Sequence, residues 1–123
     1  MSKHVLIADD EPNIVISLEF LMRREGHRVS VVRDGDAALA AIRSEPPDLV
    51  LLDVMMPGRS GMEVCQAVRE DPALAGVKIL MLSAKGRDTD LAKGAALGAD
   101  AYMTKPFSTR ELADKVRELL AGA

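Results

Sequence analysis

The stretch HVLIADDEPNIVISLEFLM, His4 to Met22, holds one complete strand-to-helix unit and decides how the rest of the chain reads. His4 to Ala8 is a short, largely apolar run of strand length. Asp9, Asp10 and Glu11 end it. Pro12 suits a first helical turn, where its missing N–H costs nothing. Ile14, Leu18, Leu21 and Met22 then recur at i, i+4, i+7 and i+8, so they line one face of a helix. Gly26 suits that helix's end.

The unit repeats along the chain. Apolar runs at Arg28 to Val32, Asp48 to Leu52, Val77 to Leu82 and Asp100 to Met103 have strand length, and segments of helical character separate them. Five strands therefore alternate with five helices. Ser60 with Glu63 and Ser108 with Glu111 fit the S-x-x-E capping box at two helix starts, and Gly98 suits a helix end. Leu112, Val116, Leu119 and Leu120 form the apolar face of the last helix. Strict alternation with right-handed crossovers implies a parallel sheet with helices on both faces, an α/β doubly wound three-layer sandwich.

The chain's 123 residues, 48% of them apolar, are expected to form one domain over 1–123 with a respectable core. The formal charge of -3 is made of interspersed signs, so direct nucleic-acid binding is not expected and partners should be proteins. Cys65, the single cysteine, excludes an internal disulfide and is read as a buried, inert thiol in a reducing compartment. No segment approaches the ~18 apolar residues of a membrane span, and Met1-Ser2-Lys3-His4 lacks a secretory apolar stretch. The expectation is a cytoplasmic protein without a membrane contact.

Asp53 ends the third apolar run as Asp9, Asp10 and Glu11 end the first. If both runs are parallel strands of one sheet, their carboxyl ends bring these acids into one crevice. Like charges held close raise one another's pKa and repel, and the cheapest relief is a cation between them. The cluster thus predicts a divalent metal site.

Four segments, IADDEP (Ile7 to Pro12), LLDVMMPGRSG (Leu51 to Gly61), MLSAKG (Met81 to Gly86) and YMTKPF (Tyr102 to Phe107), together resemble the receiver domain of two-component response regulators. The resemblance spans essentially the whole chain, with each motif at a strand end. It implies a CheY-like, flavodoxin-like (βα)5 fold with strand order 2-1-3-4-5, strands two and five at the edges, and the pocket at the switch point between strands one and three. It also implies roles. Asp53 is the phosphoacceptor, Asp10 a direct metal ligand, Asp9 a ligand through water, and Met55 a ligand through its backbone carbonyl. Ser83 supplies a hydroxyl to the phosphoryl group, Lys105 an ammonium, and Tyr102 a switching ring. Ala84 leaves the pocket mouth open, Met55 and Lys85 stand where dephosphorylation is tuned, and the Lys105–Pro106 peptide is cis in the family.

The implied activity is acceptance of a phosphoryl group on Asp53 from a histidine kinase or phosphotransfer protein, in a Mg²⁺-dependent reaction for which Mn²⁺ can substitute. The domain is then a phosphoacceptor assisting its own phosphorylation and dephosphorylation rather than an enzyme. Phosphorylation would switch the surface of the fourth helix, fifth strand and fifth helix toward an effector protein or an output domain, as a monomer or a phosphorylation-promoted homodimer. The short tail Ala121-Gly122-Ala123 sets the expectation of a stand-alone receiver; the alternative is the N-terminal receiver segment of a DNA-binding transcriptional regulator. Asp100 followed by Ala101, where such regulators carry an acidic pair, tilts toward the former.

Blander readings exist for each residue. Asp9, Asp10 and Glu11 could be an acidic helix start favoured by the dipole, and Glu11 is read that way. Asp53 could cap a loop, Ser83 be an ordinary strand-end serine, and Lys105 a solvated loop residue. Tyr102 could be half-buried packing, and Met55 and Met56 are packing side chains, since a hard-oxygen site does not recruit sulfur. His4 and His27 are taken as structural. A phosphohydrolase with an Asp nucleophile would want a second Asp two residues on, where this chain has Met55. A flavin-binding protein of this fold would need stacking aromatics, and these are missing.

Overall fold

The computed structural model describes residues 3–84 and 97–121. Strands β1 (His4–Ala8), β2 (Arg28–Val32), β3 (Leu49–Asp53), β4 (Lys78–Ala84) and β5 (Ala101–Lys105) pair in one five-stranded parallel sheet of order β2-β1-β3-β4-β5. Helices α1 (Pro12–Arg24), α2 (Gly35–Ser44) and α3 (Gly61–Arg69) follow the first three strands, a 3-10 turn (Pro72–Leu74) precedes β4, and a C-terminal helix (Thr109–Ala121) follows β5. The expected fourth helix, and Lys85 with it, lie outside the described residues.

Alternation within the strands sorts the core into two layers. Val5, Ile7, Leu49, Leu51, Leu80 and Leu82 pack with α1 and the C-terminal helix on one face. Leu6, Ala8, Val50, Leu52, Ile79 and Met81 pack with α2 and α3 on the other. With both faces covered, β1 and β3 are buried along their whole length, which is why their sequences read as continuous apolar runs rather than alternating ones. Val15, Leu18, Leu21 and Met22 are the buried residues of α1. Ile14, expected in that stripe, is only half-buried at its margin.

Three strands run further than their apolar stretches. β3 includes Asp53, β4 continues through Ser83 to Ala84, and β5 through Thr104 to Lys105. Ladder pairing uses peptide groups and ignores side-chain polarity, so Asp53 pairs with Leu82, Ser83 with Thr104 and Ala84 with Lys105. The polar residues at the carboxyl rim are strand residues held by the sheet itself. At the other end β3, β4 and β5 each begin one residue later than expected, and just before β3 and β5 the side chains of Asp48 and Asp100 accept from His4 N–H at 2.8 Å and Ile79 N–H at 2.7 Å.

Helix ends follow the local chemistry. α1 closes in a Schellman motif, with His27 N–H donating to the Met22 carbonyl and Gly26 N–H to that of Arg23, and Gly26 takes the required φ of 87°. α3 opens in a capping box: Glu63 N–H donates to Ser60 Oγ at 3.2 Å and Ser60 N–H to Glu63 Oε1 at 3.3 Å. Ser60→Ala removes one partner of this reciprocal pair and is expected to lower the urea midpoint by the equivalent of about 1 kcal/mol. An unchanged midpoint would mean that solvent replaces the cap without loss. Ser108 Oγ likewise accepts from Glu111 N–H at 3.0 Å.

Candidate functional site

The site forms where β1 and β3 end side by side. Ala8 pairs with Leu52, so the next residues, Asp9 and Asp53, emerge from adjacent strands at the same height. Asp9 is fully buried, Asp53 is 4% exposed and Asp10 is exposed at the rim. One carboxylate oxygen from each of Asp9, Asp10 and Asp53 lies within 4.8 Å of the others, the one such grouping among the described residues.

β5 brings the counter-charge from the far side of the sheet. Lys105 Nζ stands 3.0 Å from Asp9 Oδ2, 3.0 Å from Glu11 Oε1 and 3.4 Å from Asp53 Oδ2. The Lys105–Pro106 peptide is cis. Ser83, 1% exposed, lies at the end of β4, the strand next to β3. Tyr102 is half-buried on β5 and packs against the core layer of α2 and α3. Met55 exposes its side chain, while its N–H donates to Asp53 Oδ1 at 3.2 Å. The side chain of Ala84 lies outside what the structure describes.

Among the described residues the electrostatics are unbalanced, with Asp9, Asp10, Glu11 and Asp53 around the one ammonium of Lys105. Burial, and then the charge of Asp9, push the Asp53 carboxyl up from 3.8 to about 6 against the opposing pull of Lys105 and the Met55 N–H. Burial works against the charge on Lys105, but hydrogen bonds to Asp9 and Glu11 outweigh it and raise its pKa above the ordinary lysine value.

The donor set fits a hard divalent cation, because the grouped side chains of Asp9, Asp10 and Asp53 offer only carboxylate oxygens. Asp9 is held in place by Glu11 N–H, which donates to its Oδ1 at 2.9 Å.

The loop beyond Asp53 is fixed from two sides. Gly61 N–H donates to the Val54 carbonyl at 2.9 Å, and the start of α3 lies against the Asp53 backbone so closely that a Cβ at Gly61 would overlap the Asp53 carbonyl. From α2, Gly35 N–H donates to the Pro57 carbonyl at 3.1 Å and Asp36 pairs with Arg59 at 2.8 Å. Sequence reasoning missed this brace, and it missed the reach of Glu11 to Lys105; contacts between residues so far apart in the chain leave no periodic trace. His4 and His27 sit in structural contacts, His4 Nε2 with Ser30 Oγ at 2.8 Å and His27 Nδ1 accepting from Lys3 N–H at 3.4 Å. Cys65 is buried on α3 with its thiol 3.7 Å from the Leu97 carbonyl, and burial raises its pKa. Among the described residues no helix is long and apolar enough to cross a membrane.

Comparison with solved structures finds the same architecture throughout. A protein from Chloroflexus aurantiacus described as a response regulator superposes with a TM-score of 0.93 at 35% identity, over 98% of this chain and 99% of that one. The chemotaxis response regulator CheY4 of Vibrio cholerae matches with a TM-score of 0.89 at 28% identity, over 97% and 99% of the two chains. The BeF3-activated DrrB receiver domain matches with a TM-score of 0.88 at 30% identity, over 98% and 99%. The family model for the response regulator receiver domain matches residues 5–117. Sheet order, acid cluster and family match converge, and the chain belongs to the response regulator receiver domain family.

Proposed function

We propose that this receiver accepts a phosphoryl group on Asp53 from a phosphohistidine of a sensor kinase or phosphotransfer protein, with Mg²⁺ held by Asp10, Asp53, the Met55 carbonyl and, through water, Asp9. One observation carries the reading: a nearly buried carboxylate at the end of β3, set between an acid cluster and the ammonium of Lys105. An Asp53 oxygen attacks phosphorus as the P–N bond to imidazole breaks, and the imidazole leaves with its electron pair and takes up a proton. Two anions must meet in this step, so its barrier is one of positioning and charge. Bound Mg²⁺ supplies charge neutralisation to the incoming oxygens. Lys105 supplies a second positive charge, and Asp9 and Asp10 beside Asp53 keep the unloaded site hungry for cations.

With Asp53 modified, the Ser83 hydroxyl donates to a phosphoryl oxygen and the Tyr102 ring responds to the loop's shift, giving a two-state switch with the phosphoryl group as its differential contact. The BeF3-activated state of the DrrB receiver domain supports this chemistry, since a bound trifluoroberyllate has the tetrahedral shape of a phosphoryl group. The protein acts as a phosphoacceptor in the cytoplasm, not as an enzyme with a released product, and its output is to a protein effector or output domain rather than directly to nucleic acid.

Acetyl phosphate is a small-molecule donor that tests the acceptor without its kinase. Intact-mass measurement should show one added phosphoryl group in the presence of Mg²⁺ or Mn²⁺ and none after chelation. Borohydride reduction followed by peptide mapping should locate it at Asp53. Modification at another residue, or labelling indifferent to chelation, would sink the assignment.

A further inference from the structure

Glu11 is set apart from the acids around it. It occupies the N-cap of α1, yet its side chain makes no capping hydrogen bond. Its carboxylate, 57% exposed, turns instead to Lys105, whose side chain is only 11% exposed. The other two partners of Lys105, Asp9 and Asp53, belong to the carboxylate cluster that would hold a cation, and Glu11 does not.

We propose that Glu11 is a positioning residue that keeps Lys105 in the pocket when a divalent cation claims Asp9 and Asp53; the inference rests on the reading of the acid cluster as a cation site. A cation drawn to those two carboxylates takes two of the three carboxylates described around the ammonium and sets like charge beside it. Among the described residues Glu11 is the partner left. Without it, the loaded site would carry a poorly compensated ammonium next to a divalent ion, a costly arrangement where water is largely excluded. In the empty site Asp9 and Asp53 still neutralise Lys105, so losing Glu11 costs less there. The difference between the two costs is, by linkage, a loss of cation affinity. Glu11 thus lets one pocket hold two kinds of positive charge at once, which phosphoryl acceptance requires.

A double-mutant cycle read by calorimetric Mg²⁺ binding separates this role from simple attraction of the cation by another acid. Glu11→Gln is expected to weaken Mg²⁺ binding about fivefold in the otherwise unaltered protein, and less than about twofold in a Lys105→Met background, where no ammonium needs holding. The Lys105 side-chain carbon resonances in the Mg²⁺-loaded protein should also shift and broaden with Glu11→Gln. Equal losses in both backgrounds would overturn the proposal, because Glu11 would then act on the cation directly. No loss in either background would overturn it as well. Failure of the unaltered protein to bind Mg²⁺ would remove the cation site itself, and the proposal with it. Glu11 makes no capping bond and is largely exposed, so circular dichroism should confirm that both variants fold.

Discussion

Asp53→Asn is expected to end phosphoryl acceptance and, in the cation-free protein near neutral pH, to make the fold more stable by about 2 kcal/mol. Both effects come from the same carboxylate. An amide is no nucleophile for phosphorus, so labelling by acetyl phosphate should be lost. The stability gain follows from the raised pKa, 3.8 in a free chain against about 6 in the folded site. Well below 3.8 the group is protonated in both states and contributes nothing to the difference. As pH climbs from 3.8 to about 6, the unfolded chain gives up a proton that the folded chain still holds, and stability falls. Above that window the penalty is constant, at most about 3 kcal/mol for the full shift. Asn avoids it and keeps an oxygen for the Met55 N–H; the attraction of Lys105 is already contained in the net shift, and the amide's imperfect mimicry of a protonated carboxyl trims the gain. Urea denaturation in chelator should show the two proteins converging toward pH ~4 and the variant ahead at neutral pH. Mg²⁺ should restore the unaltered protein and help the variant less. An unaltered protein that is the more stable one in chelator at neutral pH would contradict the account.

Gly61→Ala should cost about 2 kcal/mol or more, an outsized effect for one methyl group. A Cβ there would overlap the carbonyl of Asp53 and come within 2.9 Å of the Val54 Cα. Neither neighbour is a flexible side chain that could swing away. Relief requires α3 to lift or the end of β3 to move, and either strains the Gly61 N–H bond to Val54. Because the displaced atoms belong to the backbone of Asp53, the proposed acceptor, the labelling rate should fall together with the denaturation midpoint. A variant that matched the unaltered protein in both would show that this close approach relaxes without consequence.

How far the chain could be read without coordinates depended on the range of each interaction. The βα repeat, the capping box at Ser60 and the end of α1 at Gly26 were legible, because each is written within a few residues. The meeting of Asp9, Asp10 and Asp53 was legible too once both runs were taken as parallel neighbours. Strand ends were less so, since polarity at Asp53, Ser83 and Lys105 suggested a stop where backbone pairing continues. The roles assigned to Ser83, Tyr102 and the Met55 carbonyl came with the family resemblance. Glu11 with Lys105 and Asp36 with Arg59 were invisible, because each joins charges from separate elements far apart in the chain, and a solvated charge is the ordinary fate of such residue types.

The continuation of the ladder through the chemical residues bears on how such a domain can diversify. Asp53, Ser83 and Lys105 hold their places through peptide groups, and none of them is needed as a side chain to register the strands. On the proposed reading, a single codon change at the rim would alter rate, lifetime or ion preference while leaving the scaffold intact. Inheritance of the fold and inheritance of the chemistry are separable here, save at Gly61, where the two share one van der Waals contact.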